Sequence, residues 1–86
     1  MQTTIEISNY PLHEDFENRI LDFIRRVQKD QNVTVKINAT STHIVGEYDY
    51  VMQLVQREIK TSFEKYGKMI FVIKVLYGAL DLDVDL

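Results

Sequence analysis

The residues of this chain best placed for chemistry sit at two strand-to-helix junctions. The first is Ile5-Glu6-Ile7-Ser8-Asn9-Tyr10-Pro11-Leu12. The second runs from Asn38 to Met52 and contains Asn-Ala-Thr-Ser-Thr-His-Ile-Val-Gly-Glu. Each changes from alternating apolar residues to a helical pattern, so each leaves polar side chains where a ligand can be held. A separate charged group, Glu6, His43 and Lys74, falls on one phase of the strands. Glu6 and Lys74 can form a structural ion pair, or Glu6 can meet a cationic or amino-bearing ligand. His43 reads as an interface or surface residue rather than a base, and His13, at a helix start, as exposed.

None of this amounts to a catalytic or metal-binding pattern. Two isolated histidines with scattered carboxylates do not supply clustered metal ligands. The G-x-S-x-G, P-loop and G-x-G-x-x-G patterns are absent, and no nucleophile, base and orienting group can be named together. The expectation is a protein without catalytic residues, cofactor or metal.

The elements that must position these residues follow from periodicity. Thr3–Asn9 alternates, with Ile5 and Ile7 on one face and Thr4, Glu6 and Ser8 on the other, and Pro11 ends the strand. From His13 to Lys29, Phe16, Ile20, Phe23, Ile24 and Val27 form one helical stripe. Acidic residues open that helix and Arg25, Arg26 and Lys29 close it, as the macrodipole favours. Val33, Val35 and Ile37 mark a second strand, Ala39–Ser41 a hairpin turn and Thr42–Val45 a third strand broken by Gly46-Glu47. A second helix reaches Tyr66 on the stripe Val51, Leu54, Val55, Ile59, Phe63 and Tyr66, with Gly67 at its end. Met69–Leu76 is a last strand, so nearly continuously apolar that both its faces are expected to be covered.

The order β-α-β-β-α-β predicts an α+β, ferredoxin-like sandwich: a four-stranded antiparallel sheet with two helices on one face and the other face open. Strands one and three are expected as central, parallel neighbours, with Ser8 and Glu47 at one end and Asn38 and Thr42 near the other. The open face then carries Thr4, Glu6, Ser8, Thr34, Lys36, Asn38, His43, Val45, Ile70, Val72 and Lys74. A mixed surface of this kind usually meets something, most simply a second copy of the chain. Residues 1–78 form the domain. Residues 79–86 alternate apolar and acidic side chains, either as an added edge strand or as a frayed acidic terminus.

Composition narrows the partners. With 86 residues, 45% of them hydrophobic and 27% charged, the chain is a single folded domain. A domain of this size buries only about 60% of its unfolded surface, which favours self-association into a homodimer or homotetramer. A net charge of −3 and a pI near 5.2 oppose nucleic-acid binding. The loop after the first strand is followed by acidic residues, unlike the arginine-bearing phosphate loop of acylphosphatases. The open-face phase assigned above offers no aromatics on which bases would stack, as RNA-recognition domains require. No apolar run spans a membrane and no signal peptide precedes the first strand, so a cytoplasmic location is expected. Cysteine is absent.

The run Glu6-Ile-Ser-Asn-Tyr-Pro-Leu12, the run Ser41-Thr-His-Ile-Val-Gly-Glu47, the helix ending in Gly67-Lys68 and the apolar strand with Lys74 together resemble the YkoF-like thiamine/hydroxymethylpyrimidine-binding proteins. The likeness extends from about Thr3 to Leu76. It implies a ferredoxin-like domain, used in tandem or self-associating, that binds thiamine or its pyrimidine precursor without established catalysis. The positions matching the motifs are Ser8, Tyr10, Asn38, Ser41, Thr42 and Glu47. Hydroxyls and an amide suit the donors and acceptors of an aminopyrimidine, and a carboxylate can face its amino group or the thiazolium charge. Each has a plainer role: Tyr10 packing beside Pro11, Ser41 and Thr42 forming the hairpin turn, Glu47 capping the second helix. A regulatory or structural homo-oligomeric domain without a small-molecule ligand is the alternative.

Overall fold

The computed structural model describes residues 1–84, which form β1 (Gln2–Pro11), α1 (Phe16–Gln28), β2 (Thr34–Ile37), β3 (Thr42–Glu47), α2 (Tyr48–Tyr66) and β4 (Met69–Tyr77). The strands make one sheet in the order β2-β3-β1-β4, every neighbouring pair antiparallel. This is the ferredoxin-like α+β arrangement.

The expected direction of the central strands is overturned. β1 and β3 are adjacent, as expected, but antiparallel, with Gln2 opposite Glu47 and Ile7 opposite Thr42. The cause is the hairpin. The crossover through α1 returns the chain parallel to β1 with a gap between, and the β2–β3 turn reverses it into that gap. The ends of the sheet are therefore regrouped: Ser8 shares an end with Asn38 and Thr42, and Glu47 lies at the other. From the register position of Thr42 to that of Glu47 is about 17 Å along the strand, at ~3.3 Å per residue.

The core lies between sheet and helices. Ile5, Ile7 and Ile44 project from the central strands onto Phe23 and Val27 of α1 and Val51 and Val55 of α2, all of them buried. Phe71 of β4 joins them, its ring centroid 5.1 Å from Phe23 and 5.7 Å from Phe63. In the second half of α2 the buried face differs from the expected stripe: Glu58 and Ser62 are buried while Phe63 is exposed. That half turns toward α1, where Arg26 reaches across to bond Glu58 Oε1 at 2.7 Å, the Glu58 carbonyl at 3.0 Å and the Ser62 hydroxyl. Arg57 holds the other Glu58 oxygen at 2.9 Å. Charge rather than apolar packing closes this part of the helix seam.

Gly46 does not break β3, which continues through it to Glu47. A Cβ at Gly46 would stand 2.8 Å from Val51 Cγ2 and 3.1 Å from Val33 Cγ1, so glycine lets α2 start against the sheet. Nor is β4 covered on both faces. Ile70 and Val72 on the open side and Ile73 and Val75 on the helix side all remain exposed, because β4 is an edge strand and α2 overlies only part of it. No helix among the described residues is long and apolar enough to cross a membrane.

Candidate functional site

At the end of the sheet where β1 leaves for α1, the β2–β3 turn and the start of α1 enclose a cleft in two connected parts. An inner cavity of about 80 Å³ lies among Ile7, Ile20, Phe23 and Ile24 below the turn. An outer one of about 500 Å³ opens past Tyr10, Leu12 and Phe16. Asn9, Ile20, Ala39 and Thr40 line both. The outer volume falls within the range of small-molecule sites. The helical stripe explains one of the cleft's walls: Phe16 and Ile20, one turn apart, continue it toward the end of β1.

The rim is a preformed turn. Asn38 Oδ1 accepts from the backbone N–H of Thr40 and of Ser41, each at 2.9 Å, and from both hydroxyls at 3.2 Å. The Asn38 N–H closes the turn onto the Ser41 carbonyl at 3.0 Å. Asparagine suits this place because its side chain mimics a backbone turn. Ser8 donates to the Thr40 carbonyl at 3.3 Å, tying the turn to β1 from the open side.

Asn9 stands apart. The period that turns Ile5 and Ile7 toward the helices also turns Asn9 that way, into an apolar wall. Its Nδ2 and Oδ1 are both buried, and among the described residues neither has a hydrogen-bond partner. A buried amide with all its capacity unused costs roughly 1–3 kcal/mol, and such exceptions in native proteins call for an explanation. The lining of the two cavities includes no carboxylate, histidine, lysine or arginine. The cleft is thus a neutral apolar slot with one free amide, a hydroxyl-bearing rim and the exposed Tyr10 at its mouth. It suits a flat, uncharged ring that carries a donor beside an acceptor.

Five of the six residues singled out from the sequence gather at this end. Asn38, Ser41 and Thr42 line the inner cavity, and Tyr10 lines the outer one. Thr42 is buried on the helix side and Ser8 stands on the open side, outside the lining. Tyr10, opposite Ile70, shares the open-face phase with Ser8, so that phase does hold one aromatic. Glu47 is at the far end, where it caps α2, accepting from the N–H of Asp49 at 3.1 Å and of Tyr50 at 3.2 Å. Those two backbone bonds, Asp49's the stronger influence, hold its carboxyl below the usual range. Asn9 was within the quoted motif but not singled out. A polar residue on the apolar phase of a strand was the available signal.

The open face carries a row of ionisable side chains directly across all four strands: Lys36, His43, Glu6 and Lys74 are register partners in turn. Glu6 Oε2 lies 3.1 Å from His43 Nε2 and Oε1 lies 3.4 Å from Lys74 Nζ. Glu6 is therefore paired with Lys74, as the ion-pair reading expected, and with His43, which that reading did not include.

A sequence model described as "Thiamine-binding protein" matches residues 5–79, most of the chain and both walls of the cleft. The chain belongs to this thiamine-binding protein family. No curated protein matches it. Among solved structures, a candidate thiamine biosynthesis/salvage protein from Thermotoga maritima is similar in fold. It has 15% identity and a TM-score of 0.83, with 96% of this chain and 92% of that one covered. A protein of Streptococcus pneumoniae has 20% identity and a TM-score of 0.83 over 93% and 90% of the two chains. A domain of unknown function, DUF77, from Bacillus cereus has 24% identity and a TM-score of 0.79 over 96% and 85%. At these identities the likeness establishes the fold. The family membership, together with the cleft, indicates small-molecule binding as the broad class of function.

Proposed function

We propose that the cleft at the Asn9 end binds the pyrimidine moiety of thiamine, or free hydroxymethylpyrimidine, and that the protein holds this ligand without transforming it. The observation that carries the proposal is the unpartnered Asn9 amide in an apolar wall. An asparagine amide and an aminopyrimidine edge each present a donor beside an acceptor, so they can form two hydrogen bonds in one plane, as asparagine does with adenine. The terminal torsion of asparagine is broad, so a small rotation turns the amide into either cavity. The apolar side chains of Ile7, Ile20 and Phe23 supply faces for the ring.

The neutral lining gives the thiazolium of thiamine no counter-charge, so affinity resides in the pyrimidine. Hydroxymethylpyrimidine and thiamine should therefore bind within about tenfold of each other, since one full charge-assisted bond is worth more than that. Calorimetric titration with each compound tests this. Saturable heat near one ligand per chain, abolished in Asn9→Leu, supports the assignment. Absence of heat from both compounds contradicts it.

We also propose that the uncovered part of the open face, with Ile70 and Val72 exposed, joins a second copy of the chain. Sedimentation velocity over a concentration series tests this. A monomer at every concentration would refute it.

A further inference from the structure

After β4 the chain does not continue outward. It turns at Gly78, whose φ of 88° is readily adopted only by glycine, and runs back across the open face of the sheet. The first part is fixed by Thr4. Its hydroxyl donates to the Gly78 carbonyl at 2.9 Å and accepts from the Leu80 N–H at 2.9 Å, and the Gly78 N–H bonds the Gln2 carbonyl at 2.9 Å. Thr4 lies on the open face, yet only 1% of it is exposed. Farther on, Asp81 Oδ1 accepts from the Asp83 N–H at 2.9 Å, shaping a turn that brings Asp83 to Lys36 Nζ at 2.6 Å. Leu80, Leu82 and Val84 line a cavity of about 350 Å³ together with Lys36, Ile37 and His43. The two anchors differ in strength. The Thr4 bonds are shielded, whereas Lys36 and Asp83 are 55% and 75% exposed, so their attraction is weak and salt-screened.

We propose that residues 78–84 are a clasp hinged at Thr4 and latched by the Lys36–Asp83 pair, and that a second copy of the chain takes the clasp's place on the sheet face when the latch opens. The inference rests on the sheet-face self-association proposed above. Two observations favour a second copy as the competing occupant. The clasp covers only half of the face, on the β2–β3 side, and the uncovered half continues it with Ile70 and Val72, both at least half exposed. Asp83 also holds Lys36, where a second sheet would have to displace it. The segment lies almost wholly beyond the family-matched residues, which end at 79.

The test is the association constant of the full chain, of Asp83→Asn and of a chain ending at Tyr77, measured by sedimentation velocity at low and high salt, with hydrogen exchange at the Leu80 amide. The clasp predicts two- to fivefold tighter association for Asp83→Asn at low salt, the range expected for one exposed ion pair. It also predicts convergence of that variant with the full chain at high salt, still tighter association for the shortened chain, and a protected Leu80 amide. Equal or weaker association in both variants overturns the clasp while leaving sheet-face assembly intact. A shortened chain that stays monomeric at every concentration overturns the assembly reading and, with it, the competition; Leu80 protection then reports whether the segment still lies on the face. An unprotected Leu80 amide in the full chain also overturns the clasp.

Discussion

Buried polar atoms in the helix seam and in the cleft of this small fold are handled in opposite ways. In the seam between α1 and α2, Glu58 and Ser62 sink into the interior and every polar atom named there has a partner, from Arg26, Arg57 or both. In the cleft, the Asn9 amide is buried beside isoleucines and phenylalanines, with neither end bonded among the described residues. The first arrangement holds the helices in one relative position. The second leaves two buried polar atoms unpaired, an exception in native proteins that calls for an explanation. A polar residue's burial alone does not separate structure from function.

The sharpest way to break this contrast is to remove Arg26. Arg26→Met should cost about 3 kcal/mol, because it leaves the Glu58 carboxylate in the seam with Arg57 alone, while ligand affinity stays unchanged. Urea unfolding beside calorimetry reads both. A large loss of affinity with little loss of stability would invert the roles of the two regions. Asn9→Leu should behave in the opposite sense. Ligand affinity falls by roughly ten- to a hundredfold, the value of two hydrogen bonds to a buried amide. Stability holds or rises, because an unsatisfied group gives way to a similar apolar volume. A marked fall in its melting temperature would mean that Asn9 is structural.

Asn38→Ala should act on both properties at once, lowering stability by about 1 kcal/mol and weakening binding a few fold as the β2–β3 turn loosens over the inner cavity. The smallest effect is on acid stability. At Asp22 burial raises the carboxyl, but bonds from Lys65 and Tyr66 and the charges of Arg26 and Lys65 outweigh it, so its pKa lies below 3.8. Glu47 lies below 4.5 through its amide bonds. Both pKa values are lowered by folding. Their stabilising contributions are complete above the unfolded values and are lost as pH falls through the folded ones. Melting temperature should therefore decline below about pH 4.5, less steeply in Glu47→Gln, with no matching change in the neutral cleft's affinity at those pH values. Thermal scans and titrations from pH 6 to pH 3 check this.

The fold was legible because its information is local. Alternation through Ile5 and Ile7, the stripe from Phe16 to Val27 and the glycine after Tyr66 each follow from chain geometry. Strand direction is a consequence of connectivity rather than of any residue, and there the expectation of parallel central strands failed. The failure placed Ser8 beside Glu47 instead of beside Thr40. The second half of α2 was misread for a different reason. Glu58 and Ser62 look like solvent-facing residues until Arg26, on another helix, supplies their partner, and a pairing 32 residues distant leaves no local trace. Asn9 left a trace, a polar residue on the apolar phase, but its lack of partners is visible only once the surrounding side chains are in place. The path of residues 79–84 over the sheet depends on Thr4 and Lys36, both far from it in sequence.

The most direct test of the cleft as a pyrimidine site is a paired calorimetric titration of the unmodified protein and Asn9→Leu with hydroxymethylpyrimidine, with the melting temperature of each taken in the same buffer. The account predicts saturable binding near one ligand per chain in the first, a drop of at least roughly tenfold in the second, and a melting temperature that does not fall. Equal affinity in the two proteins, or no binding to either, would contradict it.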